Sequence, residues 1–192
     1  MHSAIFLDKD GTLIEDVPYN VDPALIRLYP DVPEALRRFR AAGYRLIVIS
    51  NQAGVARGYF EESALEGVRE TLYRLLAAEG VPLDGFYYCP HHPQGVVAGY
   101  AVACECRKPG PGMIVRAARE HGVDLAGSWM IGDILNDVEA GNRAGCRTVL
   151  IDNGNETEWV AGEGRKPHLV VRTVLDAALR ITGDSREAVP GP

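Results

Sequence analysis

The sequence lacks a long apolar run and an excess of cations, and each absence argues against a class of function. No stretch approaches the ~20 apolar residues that a membrane-spanning helix requires, so we expect no membrane partner. Residues 1–7 lead directly into an acidic position and do not have the form of a signal peptide, which predicts a cytoplasmic protein. Lysine and arginine number 20 against 26 acidic residues, and this net charge of −6 argues against a nucleic-acid partner.

Cysteine is also scarce: the chain has four, Cys89, Cys104, Cys106 and Cys146. In a cytosolic chain of 192 residues, clustered cysteines favour a metal site over disulfides. The length and the apolar fraction of 46% suit one soluble domain with a sizeable core. We therefore expect a single domain over residues 1–183, a frayed tail over 184–192, and a monomer.

Short apolar runs alternate with amphipathic segments along the chain. The apolar runs predict strands at residues 4–7, 44–49, 85–88, 129–131, 147–151 and 168–171. Helical spacing predicts helices at residues 32–42, 61–79, 111–121, 136–144 and 174–181. This alternation is typical of an α/β fold with a mainly parallel central sheet flanked by helices, which binds ligands beyond the carboxyl ends of its strands. Residues 90–109 have no periodic pattern, and a loop of that length should be functional or braced.

The segment Asp8-Lys9-Asp10-Gly11-Thr12 follows the first predicted strand. Two carboxylates at a strand end could hold Mg²⁺, which prefers oxygen ligands. They could instead divide the work of a reaction, with one attacking and the other exchanging protons. A plain turn is the structural alternative, because Asp-Gly is a common turn dipeptide.

Further polar positions complete an ordered set with this segment. Ser50 ends the second strand, Lys108 precedes a helix, and Gly132-Asp133 with Asp137 follows a later strand. Taken singly, Ser50 would fit a helix cap and Lys108 a solvated surface lysine. As a set, these residues resemble the four motifs of the haloacid-dehalogenase (HAD)-like hydrolases, and the resemblance implies a Rossmann-like HAD fold.

The resemblance also implies a role for each matching residue. Asp8 would attack phosphorus and form an aspartyl-phosphate, while Asp10 would protonate the leaving oxygen and then activate water. Ser50 and Lys108 would steady the phosphoryl oxygens. Asp133 would bind Mg²⁺ together with the Asp8 carboxylate and the Asp10 backbone carbonyl. These roles suit phosphoryl transfer, whose catalysis is largely positioning and electrostatic stabilisation.

A second group of ligating side chains lies around the unpatterned loop. Its members are Cys89, His91, Cys104 and Cys106. Three thiolates and one imidazole form a closed tetrahedral zinc set, and structural Zn²⁺ would brace the loop. His92 could replace His91, and a metal-free thiol cluster or a disulfide is the structural alternative. Cys146 stands apart, and we expect it to be a small buried apolar residue.

Three segments sharpen the resemblance: residues 50–58 (SNQAGVARG), 87–95 (YYCPHHPQG) and 104–109 (CECRKP). They are similar to the D-glycero-D-manno-heptose 1,7-bisphosphate 7-phosphatases, a HAD family without a large cap domain in which a zinc-held loop shapes the substrate site. The resemblance implies a small sugar phosphate as partner and hydrolysis of its 7-phosphate. It also places the reaction on the route to nucleotide-activated heptose for lipopolysaccharide or surface glycans.

A bisphosphate substrate requires a second anion site. Arg107 is the leading candidate, because a guanidinium can grip a phosphate with two hydrogen bonds. Asn51 and Gln52 could bind sugar hydroxyls or the distal phosphate, and Arg57 is either a further contact or a solvated loop arginine. Ile134 stands where relatives often carry a basic residue, so a phosphate contact made there is missing.

Three other functions fit parts of the same pattern. Histidinol-phosphate phosphatases share the scaffold and a similar zinc loop, but their substrate has one phosphate, whereas Arg107 favours two. A broad sugar-phosphate phosphatase is the second alternative. The third is a catalytically silent scaffold whose zinc loop binds a partner, and the presence of both Asp8 and Asp10 argues against it.

Overall fold

The computed structural model describes residues 2–183, which contain one six-stranded sheet. The strands are β1 (Ala4–Leu7), β2 (Arg45–Asn51), β3 (Gly85–Cys89), β4 (Trp129–Gly132), β5 (Arg147–Ile151) and β6 (Leu169–Val171). Their spatial order is β3-β2-β1-β4-β5-β6, and every neighbouring pair is parallel. The predicted parallel α/β architecture is therefore confirmed.

Five helices flank the sheet. They are α1 (Val32–Ala41), α2 (Ala64–Ala78), α3 (Gly112–His121), α4 (Leu135–Ala144) and α5 (Val174–Thr182). The largest boundary error is at α2, predicted three residues too early, because residues 61–63 form a turn closed by the Ala64 amide on the Glu61 carbonyl. A 3₁₀ turn at Pro23–Leu25 was not predicted. None of the helices within residues 2–183 has the length and apolarity to span a bilayer.

Alternating side chains of β1 separate two hydrophobic cores. Ile5 and Leu7 pack in the core that α1, α2 and α5 cover, whereas Ala4 and Phe6 pack in the core under α3 and α4. All four side chains are fully buried. Burial on both faces explains why this strand reads as a continuous apolar run rather than as an alternating one.

The sheet order reverses direction between β1 and β4, so the crevice at their carboxyl ends is the favoured ligand position. Residues 8–31 after β1 contain the 3₁₀ turn, isolated bridges and turns, and residues 90–111 after β3 contain only turns and bends. No large cap domain is therefore inserted at either point among the described residues. The predicted tail at 184–192 lies outside them.

Candidate active site

Two carboxylates meet where β1 and β4 end side by side. Leu7 pairs with Ile131, and the Asp8 amide donates to the Ile131 carbonyl at 2.9 Å. Asp8 therefore lies beside Asp133, and Asp137 joins them from the first turn of α4. Oxygens of the three carboxylates lie within 4.8 Å of one another, and all three residues are buried. The sheet thus concentrates negative charge at its central edge.

Gly11 allows the loop after β1 to lie directly against Asp133. A Cβ at this position would meet Asp133 Oδ2 at 2.1 Å, and the φ of +77° is one that residues other than glycine rarely adopt. From the same loop, the Thr12 hydroxyl donates to Asp133 Oδ1 at 3.3 Å. The Asp-Gly-Thr segment is therefore part of the site rather than a plain surface turn.

Lys108 inserts its ammonium group between two of the carboxylates. Its Nζ donates to Asp8 Oδ1 at 2.5 Å and to the Ile49 carbonyl at 2.9 Å, and it forms an ion pair with Asp137 Oδ1 at 2.6 Å. The side chain is only 2% exposed. Burial alone would lower the pKa of Lys108, but Asp137 and Asp8 raise it above its usual value. This lysine is therefore a buried cation of the site.

Charge in this centre is unbalanced. Asp8, Asp133 and Asp137 bring three potential negative charges against the one ammonium of Lys108, which leaves two uncompensated. Burial, followed by Asp8 and Asp137, raises the pKa of Asp133 to about 8. Burial and Asp137 also raise the pKa of Asp8, against the opposing effect of Lys108. One divalent cation with a preference for oxygen would balance this charge.

Asp10 has a more open environment than the other carboxylates. Its Oδ1 lies 2.5 Å from Lys9 Nζ, and its Oδ2 accepts from Gln52 Nε2 at 3.2 Å. The side chain is 33% exposed, compared with 11% for Asp8. A carboxylate with hydrogen-bond partners and access to solvent suits proton exchange better than metal binding in a closed site.

The end of β2 supplies three neighbouring polar side chains. Gln52 Nε2 donates to Ser50 Oγ at 2.7 Å as well as to Asp10, so one amide links a hydroxyl and a carboxylate of the site. The Asn51 side chain makes two hydrogen bonds with the Lys108 backbone. Its Nδ2 donates to the Lys108 carbonyl at 3.1 Å, and its Oδ1 accepts from the Lys108 backbone amide at 3.0 Å. In this structure Asn51 therefore holds the lysine segment, and its contact with substrate stays a prediction.

Two cationic side chains gather at the turn that carries His91 and His92. Arg107 Nη1 donates to the His91 carbonyl at 3.4 Å, and Arg57 Nη2 lies 3.3 Å from His92 Nε2. Burial, Arg107 and Arg57 together lower the pKa of His92. Burial lowers the pKa of Arg107; Cys89 and Cys104 oppose this effect, and the charge of Arg57 adds to it. The structure thus brings both predicted arginines together in an environment that would favour an anion.

The four residues of the second predicted group also come together. Their Sγ atoms lie 3.5 Å (Cys89–Cys104), 3.0 Å (Cys89–Cys106) and 3.2 Å (Cys104–Cys106) apart, and His91 Nδ1 lies 3.3 Å from Cys106 Sγ and 3.6 Å from Cys89 Sγ. A disulfide would need about 2.05 Å. Tetrahedral zinc with Zn–S bonds of about 2.3 Å would separate the sulfurs by about 3.8 Å. The donor set fits zinc after a small expansion.

Protonation of the thiol cluster would change on metal binding. Burial raises the pKa of Cys89 and of Cys106, whereas the hydrogen bond with Cys106 lowers the pKa of Cys104 against the effect of burial. Metals bind the thiolate form, so zinc binding would release the thiol protons. His91 contributes its Nδ1 to the cluster, whereas His92 contacts Arg57 instead. Cys146 lies apart in the core, as predicted.

Some residues of the site had no predicted role. Asp137 appeared in the motif but without a function. Lys9 pairs with Asp10. Asn155 Nδ2 donates to Asp133 Oδ2 at 2.7 Å from the loop between β5 and β6. No sequence pattern marks Asn155, since its partner is 22 residues away.

Comparison with known proteins places this geometry in a family context. The family model described as HAD-hydrolase-like matches residues 105–177. A D-glycero-beta-D-manno-heptose-1,7-bisphosphate 7-phosphatase of Pasteurella multocida (strain Pm70) is 40% identical over 185 residues, covering 95% of this chain and 98% of that protein. The protein of the same name from Salmonella typhi is 41% identical over 166 residues, covering 82% of this chain and 88% of that protein.

A solved structure gives the same likeness at the level of the fold. The structure of D,D-heptose 1,7-bisphosphate phosphatase from B. bronchiseptica, complexed with magnesium and phosphate, matches with a TM-score of 0.75 and 30% sequence identity. The match covers 95% of this chain and 99% of that chain. The similarity therefore extends over nearly the whole length of both chains.

Proposed function

The chain belongs to the D-glycero-β-D-manno-heptose-1,7-bisphosphate 7-phosphatase family of HAD-like hydrolases, and on that premise we propose that it is a Mg²⁺-dependent phosphatase that removes the 7-phosphate of a heptose 1,7-bisphosphate. The observation that carries the proposal is the buried Asp8 carboxylate, which lies 2.5 Å from Lys108 and next to Asp133. The product would enter the synthesis of nucleotide-activated heptose. The prediction of a cytoplasmic monomer stays part of this proposal.

The reaction has two steps at phosphorus. In the first, an Asp8 carboxylate oxygen forms a bond to phosphorus while the bond from phosphorus to the sugar oxygen breaks, and Asp10 gives its proton to that oxygen. In the second, Asp10 takes a proton from water, and the resulting hydroxide attacks the aspartyl-phosphate. Phosphate leaves, and the Asp8 carboxylate is restored. Asp10 suits both proton transfers because it is the more solvent-accessible of the two carboxylates.

Lys108 and Ser50 act on the transferred group. Lys108 is fixed by Asp8, Asp137 and the Ile49 carbonyl, so its charge needs no reorganisation when negative charge develops on the phosphoryl oxygens. Ser50 Oγ is held by Gln52 and can donate its own hydrogen to a phosphoryl oxygen. Asn51 contributes by holding the Lys108 backbone.

Magnesium would be held by the Asp8 and Asp133 carboxylates and by the Asp10 backbone carbonyl. When bound, it offsets the repulsion between a carboxylate nucleophile and a phosphate dianion. Asp137 is the less suitable ligand, because its oxygens are taken by Lys108 and by the Ile134 amide at 3.2 Å. The two uncompensated charges of the centre match one divalent ion.

Zinc would be held by Cys89, His91, Cys104 and Cys106. Four protein ligands leave no open position, so its role is structural. The ion would fix the turns of residues 90–111, from which both Arg107 and Lys108 are presented to the site. Zinc thus supports the geometry of substrate binding without taking part in the reaction.

The distal phosphate would be bound by Arg107, with Arg57 beside it. Arg107 contacts the His91 carbonyl and Arg57 contacts His92 Nε2, so the two guanidinium groups reach adjacent residues of one turn. Two neighbouring cations form a favourable environment for an anion. A heptose 1,7-bisphosphate would place its uncleaved 1-phosphate there. This observation favours a bisphosphate over histidinol phosphate, whose distal group is a cation.

The proposed function is tested by ³¹P NMR of the purified chain with D-glycero-β-D-manno-heptose 1,7-bisphosphate and Mg²⁺. The expected result is loss of the 7-phosphate signal with the 1-phosphate intact, and no reaction in EDTA. A higher kcat/KM for L-histidinol phosphate would favour a histidinol-phosphate phosphatase. Equal kcat/KM values over many sugar phosphates would favour a broad sugar-phosphate phosphatase. No hydrolysis of any of these substrates or of an aryl phosphate would contradict an enzymatic role.

A further inference from the structure

We propose that Asn155, in the loop between β5 and β6, is a positioning residue that orients the Asp133 carboxylate for binding of the divalent cation. Its side-chain Nδ2 donates to Asp133 Oδ2 at 2.7 Å. The inference rests on the proposed function, because it assumes that Asp133 is a metal ligand. It adds a residue from outside the four motifs to the construction of the site.

Asn155 belongs to a short bracing segment, residues 153–156, which contacts three parts of the site. Asn153 Nδ2 donates to the Gly11 carbonyl at 2.8 Å, in the loop that carries Asp8 and Asp10. Glu156 Oε2 accepts from the Leu135 amide at 2.7 Å, at the beginning of the helix that carries Asp137. The bracing segment therefore ties the loop after β1 to the start of α4, and Asn155 lies between these two anchors.

The Asp133 carboxylate is held from two sides. Thr12 Oγ1 lies 3.3 Å from Oδ1, and Asn155 Nδ2 lies 2.7 Å from Oδ2, so the shorter contact comes from the bracing segment. Two donors on different oxygens restrict rotation of the carboxylate plane. Each oxygen has two lone-pair sites, so an oxygen that accepts a hydrogen bond can still coordinate a cation.

The half-buried Asn155 side chain directs its amide toward the Asp133 carboxylate. A Cβ built on Gly11 would meet Asn155 Nδ2 at 2.5 Å and Asp133 Oδ2 at 2.1 Å. The absence of a side chain at Gly11 thus makes the room in which the amide and the carboxylate meet. The loop also has its own internal contact, from the Asn155 backbone amide to Asn153 Oδ1 at 3.2 Å, which a change of the Asn155 side chain leaves in place.

Substitution Asn155→Ala should weaken cation binding without removing a catalytic group. Loss of a hydrogen-bonding partner of a metal ligand commonly lowers metal affinity by about 10- to 100-fold. We expect the Mg²⁺ concentration for half-maximal velocity to rise by that factor, with kcat at saturating Mg²⁺ little changed. Without substrate, electron paramagnetic resonance of free Mn²⁺ should show a matching loss of affinity for Mn²⁺ alone.

Asn153→Ala is the matched control, because it removes the neighbouring contact to Gly11 and leaves the amide on Asp133. It should shift Mn²⁺ affinity much less. Equal shifts of Mn²⁺ affinity in the two variants would assign the effect to the loop as a whole and overturn the proposal. An unchanged Mn²⁺ affinity in Asn155→Ala would also overturn it. If the alanine variant does not fold, Asn155→Leu supplies a similar shape without the donor, and the same criteria apply to it.

The outcomes separate this inference from the proposed function. A wild-type chain that binds Mn²⁺ and hydrolyses the bisphosphate, alongside an Asn155→Ala variant with the same metal dependence, overturns only the role of Asn155. A wild-type chain that binds Mn²⁺ but hydrolyses no phosphate ester contradicts the proposed function, while the Mn²⁺ affinities of the variants still decide the role of Asn155.

Discussion

The carboxylate centre and the thiol cluster solve the problem of collecting ligands in opposite ways. Asp8, Asp133 and Asp137 are far apart in the sequence and meet because β1, β4 and α4 end at one edge of the sheet. Three of the four cluster residues instead lie in a single loop that has only turns and bends, and Cys89 ends β3 just before it. A site on rigid elements should keep its shape without a metal, whereas a loop of this kind should depend on one.

The largest effect is expected at the nucleophile of the carboxylate centre. Asp8→Asn should abolish turnover while leaving the fold intact, because an amide is a poor nucleophile and the sheet still determines the position of the side chain. Loss of a nucleophile commonly costs about 10⁴-fold or more in kcat. Steady-state kinetics and a thermal melt check both halves of this prediction, and retention of more than about 1% of activity would contradict the assignment.

The next effect concerns the thiol cluster. Purified without added metal, the protein should contain about one zinc per chain by elemental analysis, and Cys106→Ser should lose it. A loss of even about 3 kcal/mol would lower the Tm by about 6–12 °C in a chain of this size. Cys146→Ala is the matched control, since Cys146 is buried in the core outside the cluster, and it should keep its zinc.

The zinc content and the stability of the wild-type protein would also test whether the loop depends on a metal while the carboxylate centre does not. Wild-type protein that is free of zinc but fully folded and active would show that the loop holds its own shape, and the contrast would fail. Removal of Mg²⁺ should stop the reaction but leave the fold unchanged. The two ions can be removed separately because sulfur and nitrogen ligands select zinc, whereas oxygen ligands select magnesium.

A smaller effect is expected where the loop contributes to substrate binding. Arg107→Ala should lower kcat/KM for the heptose bisphosphate by about 10- to 100-fold, the value of a charge-assisted bidentate contact of roughly 1.5–3 kcal/mol. It should barely change hydrolysis of a small monophosphate, which has no distal group. Lys108→Ala should reduce both reactions. Equal losses on both substrates in Arg107→Ala would place Arg107 at the reacting phosphate instead.

The smallest effect concerns the charge imbalance of the carboxylate centre. The pKa of Asp133 is raised from its ordinary value to about 8, so the folded metal-free protein binds this proton more tightly than the unfolded chain does. Its stability therefore falls as the pH rises from about 4 to about 8. Asp133→Asn should remove this loss and be more stable than wild type in EDTA at pH 8, by at least about 1 kcal/mol.

Denaturant unfolding in EDTA at pH 5 and pH 8 measures this difference. We expect the stability advantage of Asp133→Asn to be larger at pH 8 and to shrink at pH 5, while its Mg²⁺-dependent activity is lost at both. An advantage that is absent at pH 8, or equal at the two values, would contradict the charge imbalance. A stabilising change that abolishes activity is the expected cost of a site built for function.

The sequence alone could predict those features that depend on residues close together in the chain. β1 is marked by its apolar run, and the thiol cluster is marked by ligand-type residues gathered around one unpatterned loop, so the sequence predicts both. The beginning of α2 was not, because the polar residues 61–63 fit a helix or a turn equally well. The resemblance to a known family, rather than composition or spacing, supplied the roles of Asp8 and Asp10.

Contacts between distant segments lay beyond the reach of the sequence pattern. Asn153 and Gly11 are 142 residues apart, and nothing in either segment indicates that they meet. Both ends of the Asn51 amide pair with the Lys108 backbone, 57 residues away, a contact that the sequence did not indicate. Such hydrogen bonds depend on how the loops pack over the sheet, which only the folded chain defines.

The most direct test of the account is the location of the covalent intermediate. Asp10→Asn should slow hydrolysis of the aspartyl-phosphate, so acid quenching during turnover followed by peptide mass spectrometry should find one phosphoryl group on Asp8. The Asp8→Asn variant, treated in the same way, should carry none. Two results would contradict the claim that Asp8 is the nucleophile of this centre. One is a phosphoryl group on another residue, and the other is turnover by Asp10→Asn without any phosphorylated enzyme.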